Sequence, residues 1–267
     1  MKQLPRRDIM PELPDLEAYR RNLERLVLQK QVVAATVYKP GRVSVSQEEI
    51  DDLVSARIVA LKRNGKEMLL EFDNGRMLAI HLMLQGRIDV VSGEDEMRYK
   101  IFALDFPDAR LIVSDPRGWA KIRLDPEKPA APDALAPEFS FDYFREKLKG
   151  AKAKSIKTLL MDQEVVRGIG NAYSDEILWE AKIAPQSIAG HLPEETARTL
   201  YEAVRRVLLR SVDEILAIDP EVIHGEIRDF MRVHHKEKKT SPNGFPIKTK
   251  KIAARKSYYT EEQVVYP

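Results

Sequence analysis

With 267 residues, 43% of them hydrophobic and 32% charged, the chain is long enough for one large domain or two modest ones and too apolar for a disordered polymer. It contains no cysteine, which excludes disulfides, thiol catalysis and thiolate metal sites, and its formal net charge is only +2. No apolar run approaches the ~20 residues of a membrane helix, and the opening MKQLPRRDIM lacks the apolar stretch of a secretory signal, so a cytoplasmic location is expected.

Near the start, PDLEAYRRNLERLV places Leu16, Tyr19, Leu23 and Leu26 at helical spacing with charge on the other face. Then the period shortens. VVAATVYKP, ARIVALKRN, EMLLEFDNG, RMLAIHLML, GRIDVVSG, KIFALDFPD and RLIVSDPRG are β-prone runs parted by turn signals, with Asp73-Asn74-Gly75 a strong hairpin signal. This rhythm predicts a β-sandwich or barrel up to about Leu124. DPEKPAAPDALAPEF reads as a linker. Beyond it DYFREKLKGA, SIKTLLMDQEVV, SDEILWEAKI, PEETARTLYEAVRRVLLRSVDEILA and EIRDFMRV predict helices, and PIKTKKIA and KSYYTEEQVV return to strands around a basic turn. Charge is one-sided in this last part: ten Lys/Arg lie between Arg228 and Lys256 against Asp229 and Glu237. Such a segment is either a solvated tail or lies along a polyanion.

Three places carry possible chemistry. If translation starts at Met10 and that residue is removed, Pro11 becomes an N-terminal secondary amine, and α-amino groups with pKa of about 7.7–8.0 are usable nucleophiles near neutral pH. Attack on a sugar C1′ gives an iminium ion that acidifies the C2′ proton and permits β-elimination, with Glu12 placed to move protons as the ring opens. The same residues also suit a proline-rich leader ahead of a helix. Gly168, Gly170 and Asn171 in VRGIGNAYSDEILWEAKI form a tight turn before a helix, where backbone N–H groups can cradle phosphate or simply turn a corner. Lys66, Arg117 and Trp119 sit in turn-containing runs, where a lysine is ordinarily solvated and a tryptophan ordinarily core.

Taken in order, PELPDLE, GKEMLLEFDNGRMLAIHLMLQGRI, DPRGWAKIRL and DQEVVRGIGNAYSDEILWEAKIAPQ resemble the formamidopyrimidine-DNA glycosylase/endonuclease VIII family, over nearly everything from Met10 onward. The resemblance implies an α+β, two-domain fold: an N-terminal antiparallel β-sandwich with a leading helix, and a C-terminal helical domain with a helix–two-turns–helix element and a β-hairpin finger. The expected divisions are a leader at 1–10, outside the native protein if translation starts at Met10, the catalytic β-domain at 11–125, a linker at 126–140, the helical domain at 141–235 and the finger at 236–267. It further implies a bifunctional glycosylase and abasic-site lyase of base excision repair, acting as a monomer on damaged double-stranded DNA near the nucleoid, with the lesion flipped out of the stack. A non-catalytic lesion- or DNA-structure-binding protein is the alternative if Pro11 never becomes N-terminal.

By position, Pro11 corresponds to the Schiff-base nucleophile, Glu12 to its acid partner, and Lys66 to a catalytic-site lysine that also contacts DNA phosphate. Asn171, Gly170 and Arg255 correspond to DNA-binding positions, and Leu84, Arg117 and Trp119 to side chains that fill the space a flipped base vacates. Most relatives hold the finger with zinc on four cysteines. Here Thr260 and Gln263 fall at two cysteine positions and Ser241 near a third, so a zincless finger with no metal and no cofactor is expected, held by packing of Ile247, Ile252, Tyr258 and Tyr259. His234 and His235 are expected to be exposed loop residues. The segment after Arg228-Asp229-Phe230 is short, which weakens an 8-oxoguanine preference and leaves oxidised pyrimidines, formamidopyrimidines, hydantoins and abasic sites open.

Overall fold

In the computed structural model, which describes residues 10–44 and 46–267, the β-prone runs of the first half become eight strands. They are β1 Ala34–Val37, β2 Ile58–Asn64, β3 Glu67–Phe72, β4 Met77–His81, β5 Arg87–Val91, β6 Lys100–Asp105, β7 Arg110–Ser114 and β8 Lys121–Leu124. They pair antiparallel in two four-stranded sheets, β1-β6-β7-β5 and β2-β3-β4-β8. The inward residues of both, among them Leu70, Phe72, Leu78, Ile80, Ile88, Phe102, Leu104 and Ile112, are buried. Asp73-Asn74-Gly75 turns β3 into β4, with Gly75 at φ 84°. The expected leader lies, apart from Met10, outside the described residues.

The first helix, α1 Leu13–Val27, buries Leu16, Tyr19 and Leu23 as its spacing predicts, but Val27 completes the stripe and Leu26 is exposed. A short helix, α2 Gln47–Asp51, starts at a Ser46/Glu49 capping box. Contacts divide the chain into two compact units, and the first holds Asp15–Lys128 and Ile215–Glu226 together with Met10 and Pro11. Within it, residues 219–226 are tied to α1 through their carbonyls: Asn22 Nδ2 donates to Val222 O at 2.8 Å, Arg25 to Pro220 O at 3.0 Å, and the Tyr19 hydroxyl to Gly225 O.

The second unit holds Glu12–Pro14, Pro129–Glu214 and Ile227–Pro267. Its helices are α3 Phe141–Gly150, α4 Ile156–Met161, α5 Asn171–Glu180 and α6 Glu194–Ile218, whose last residues belong to the first unit. Ser140 and Ser155 cap α3 and α4. The linker is packed rather than loose, since Phe139 is buried with its ring 5.4 Å from Phe144 and 5.5 Å from Tyr201. Two helix expectations are corrected. SIKTLLMDQEVV stays helical only to Met161, because Asp162 turns extended and its carboxylate caps the Glu164 N–H. EIRDFMRV forms turns, because the N–H groups of Arg232, Val233 and His234 bond the Glu176 carboxylate at 2.7–2.8 Å instead of a preceding helical turn. The hairpin β9 Lys248–Ile252 and β10 Arg255–Tyr259 forms as expected around Ala253 and Ala254. Among the described residues no helix is long and apolar enough to cross a membrane.

Candidate active site

The sheet register gathers four of the sequence-predicted residues at one sheet end. β2 ends and β3 begins around the Gly65-Lys66 turn, β4 ends at His81, and His81 pairs with Lys121 at the start of β8. Lys66 is half-buried in that turn, with Gly65 at φ 59°. Leu84 lies half-exposed in the turn after His81, and Gly86 closes it where a Cβ would stand 2.2 Å from the Leu82 carbonyl oxygen. Arg117 and Trp119 occupy the loop before β8. Trp119 is 38% exposed, not core, and the Arg117 guanidinium lies 4.9 Å from its ring centroid. The loop is shaped by buried Asp115, which accepts from the N–H groups of Arg117, Trp119 and Ala120 at 2.6–2.9 Å.

His81 was not singled out from sequence, yet it stands in the same cluster. Burial lowers its pKa to about 4 against the pull of Glu67, and Lys66, Lys121 and Arg123 push the same way as burial. Its Nδ1 accepts from the Met83 N–H at 3.1 Å, so the neutral ring also holds the Leu84 turn.

In the second unit, Glu12 is buried and its carboxylate seats on the N-terminus of α5. It accepts from the N–H groups of Gly170 at 2.6 Å, Ala172 at 2.9 Å and Tyr173 at 3.3 Å. A carboxylate belongs there, because those amides have no intrahelical partner and the helix dipole is positive at that end. This corrects the reading of Gly170: the cradle exists, but its N–H holds Glu12 rather than standing open to phosphate. Gly168 stands where glycine is favoured, having φ 104° and a position where a Cβ would meet the Leu13 side chain at 2.6 Å and force it to shift. The Leu13 N–H donates to Gly168 O at 3.0 Å, closing the junction. Pro11, the residue before Glu12, is buried.

Beneath this seat lies a polar cluster that local sequence did not reveal. Lys157 is almost wholly buried on α4, with Nζ 2.6 Å from Asp175 Oδ1 on α5. Burial lowers its pKa, and Asp175 and Glu12 pull the other way. The second Asp175 oxygen lies 2.7 Å from His234 Nδ1 and accepts from the Tyr258 N–H at 2.9 Å. His234 is therefore half-buried on a carboxylate, not an exposed loop residue, and half-buried His235 stands 3.6 Å from Asp229. Asn171 donates through Nδ2 to Lys256 O at 3.1 Å, while its buried Oδ1 accepts no hydrogen bond. Arg255, next in line, is exposed at the start of β10.

The finger is held differently from the expectation. Ile247, Ile252, Tyr258 and Tyr259 are only half-buried. The buried groups at its base are polar: Ser241, Ser257, Thr260 and Gln263. Zinc does not fit them, since there is no thiolate, the Ser241 and Thr260 hydroxyls donate to Glu262 at 2.9 Å each, and Gln263 bridges Thr260 N–H and Ile183 O at 2.8 Å each.

The chain thus combines a β-sandwich unit with a helical unit that ends in a hairpin and seats a carboxylate on the helix after a Gly-x-Gly-Asn turn. Two family models agree: the formamidopyrimidine-DNA glycosylase N-terminal domain matches residues 10–122 and the formamidopyrimidine-DNA glycosylase H2TH domain matches residues 130–239. The chain belongs to the formamidopyrimidine-DNA glycosylase family. It is 36% identical over 234 residues to the formamidopyrimidine-DNA glycosylase of Carboxydothermus hydrogenoformans, covering 85% of this chain and 84% of that one. With that of Lactococcus lactis it shares 30% over 266 residues, covering 94% and 97%. The solved complex of the wild-type Lactococcus lactis protein with DNA containing an oxidised pyrimidine matches at TM-score 0.85 and 26% identity, covering 95% of this chain and 99% of that one. A complex of the same protein with DNA containing an abasic site matches at TM-score 0.84 and 25% identity, covering 94% and 99%.

Proposed function

We propose that the protein removes oxidised bases from double-stranded DNA as a monomer and then nicks the strand, with the amine of Pro11 as nucleophile once Pro11 is N-terminal. The observation that carries this reading is the seat of Glu12, which fixes the residue after Pro11 on three amides of α5. The Pro11 nitrogen attacks C1′ and gives up its proton, while the bond from C1′ to the base breaks and the base leaves protonated. Glu12 supplies a proton to the opening sugar ring. Loss of the C2′ proton from the iminium ion then expels the 3′ phosphate by β-elimination. Lys66 and Asn171 each grip DNA phosphate, and Arg255 adds a charge from the finger. Leu84, Arg117 and Trp119 occupy the vacated stack, for which a half-exposed Leu, an exposed cation and an exposed ring are suited. No cofactor takes part.

The reading requires a free amine, because an amide nitrogen within Met10-Pro11 is not nucleophilic. Borohydride added during reaction with abasic or lesion-bearing duplex is expected to trap protein that begins at Pro11 covalently on DNA, and Pro11→Gly or Glu12→Gln to largely abolish turnover. A preparation beginning at Pro11 that binds lesion DNA but gives no trapped species on any lesion would leave the non-catalytic binder as the correct reading.

A further inference from the structure

In relatives with four finger cysteines a metal ties the two ends of the hairpin together, and the residues at the corresponding base of this finger do not fit zinc. What stands there is a single carboxylate. The Glu262 side chain, 7% exposed, accepts five hydrogen bonds: from Trp179 Nε1 at 2.9 Å, Lys182 Nζ at 2.8 Å, Ser241 Oγ at 2.9 Å, Asn243 Nδ2 at 2.7 Å and Thr260 Oγ1 at 2.9 Å. The donors have two origins. Ser241 and Asn243 enter β9, and Thr260 leaves β10, whereas Trp179 and Lys182 belong to α5 and the turn after it. One charge therefore joins both ends of the hairpin to the helical body, the task a metal performs by coordination. Burial raises the Glu262 pKa, but the bonds from Asn243, Lys182, Trp179 and Ser241 outweigh it and keep the carboxyl well below the usual carboxylate range.

We propose that Glu262 is the positioning residue of this finger, holding the hairpin, and with it Arg255, as a metal holds it in cysteine-bearing relatives. The effect on Arg255 rests on the reading that the finger meets DNA; the clamp itself does not. β10 runs from Arg255 straight into Thr260, and two further ties lie along it, Tyr258 N–H on Asp175 and Lys256 O on Asn171. Those ties hold one strand, and the Lys248–Glu261 pair at 3.0 Å bridges the two ends at the exposed surface. Glu262, by contrast, joins both ends to α5 and the turn after it.

The test is hydrogen exchange on the full chain without DNA, comparing wild type, Glu262→Ala and Glu262→Gln. Amides of residues 248–259 are expected to exchange about tenfold faster or more in both variants, with α4 and the β-sheets unchanged. Wild-type exchange is expected to ignore EDTA. Exchange no faster in Glu262→Ala, or wild-type loosening by EDTA, overturns the proposal. If Glu262→Ala fails to fold, Ser241→Ala/Asn243→Ala removes two donors and is read in the same way. Binding to duplex carrying an abasic-site analogue then separates the two readings. If the finger grips DNA, Glu262→Ala weakens binding about tenfold and Arg255→Ala adds little on top of it. Loosened exchange with unchanged affinity leaves the clamp standing and removes Arg255 from the interface.

Discussion

The two units present their candidate residues in opposite ways. At the sheet end of the β-unit, Leu84, Arg117 and Trp119 stand on turns, exposed or half-exposed, and backbone hydrogen bonds to His81, Leu82 and Asp115 shape what carries them. Around α5, by contrast, the arrangement rests on buried carboxylates: Glu12 on the helix N-terminus, Asp175 and Glu176 within it and Glu262 at its far end. α5 is buried along nearly its whole length, so a charge placed on it must be fully bonded. The lesson is that residues suited to contact are free to be exposed, while those that fix geometry are costly to disturb. Mutations should therefore separate into contact losses in the β-unit and folding losses around α5.

The sharpest break in that comparison is Glu12→Gln. It lies in the buried set and is also the acid of the proposed reaction, so on that proposal turnover should fall by roughly 10²–10⁴ while stability falls by only about 1–2 kcal/mol. Single-turnover kinetics beside urea denaturation reads both, and a stability loss matching the activity loss would make Glu12 purely structural. Next is Lys157→Met, which strands the Asp175 charge in the interior and should cost about 3–5 kcal/mol. Lys157→Met/Asp175→Leu removes both charges and should recover part of that loss. Equal losses in the single and double variants would deny the pairing.

Sequence legibility divides along the same line. Pro11, Glu12, Lys66, Asn171 and Trp119 lie in short strings whose local chemistry and order can be read, and the alternating runs mark the strands. Lys157, Asp175 and Glu262 were missed because a deciding partner of each, Asp175 for Lys157, Tyr258 for Asp175 and Trp179 for Glu262, lies 18 to 83 residues away. A lone lysine between buried Ile156 and Leu159 was the only local sign of the first pair. EIRDFMRV carries a helical pattern, but Glu176, more than fifty residues upstream, takes the amide hydrogens a helix would use. Hydrophobic pattern cannot anticipate a carboxylate that arrives from elsewhere.

The β-unit's side of the comparison is sharpened by Trp119→Ala. Stability should change by no more than about 0.5 kcal/mol, since the ring is exposed. Lesion-DNA affinity should fall by about 1–3 kcal/mol if the ring stacks on a base. His81 sits between the two behaviours. Its folded pKa of about 4 lies below the unfolded value near 6.5, so the unfolded state binds the extra proton first. Its contribution is complete above pH 6.5 and declines as pH falls toward 4, by about 3 kcal/mol in all. His81→Asn should flatten that part of the stability–pH curve, and an unchanged slope would place the titrating group elsewhere.

The smallest effect belongs to the hairpin tip. Ala253 and Ala254 both have positive φ, 45° and 62°, the geometry of a two-residue turn that favours Asn-Gly because an ordinary Cβ is crowded there. Ala253→Asn/Ala254→Gly should therefore stabilise the hairpin by about 1 kcal/mol. If Glu262 governs the finger from its base, this gain at the tip should slow exchange of the central strand amides in wild type. In Glu262→Ala it should leave the strand ends as loose as before. A tip substitution that restored the ends as well would mean that the turn, not the carboxylate, sets the order of the finger, and that the two units differ less in how they hold their working residues.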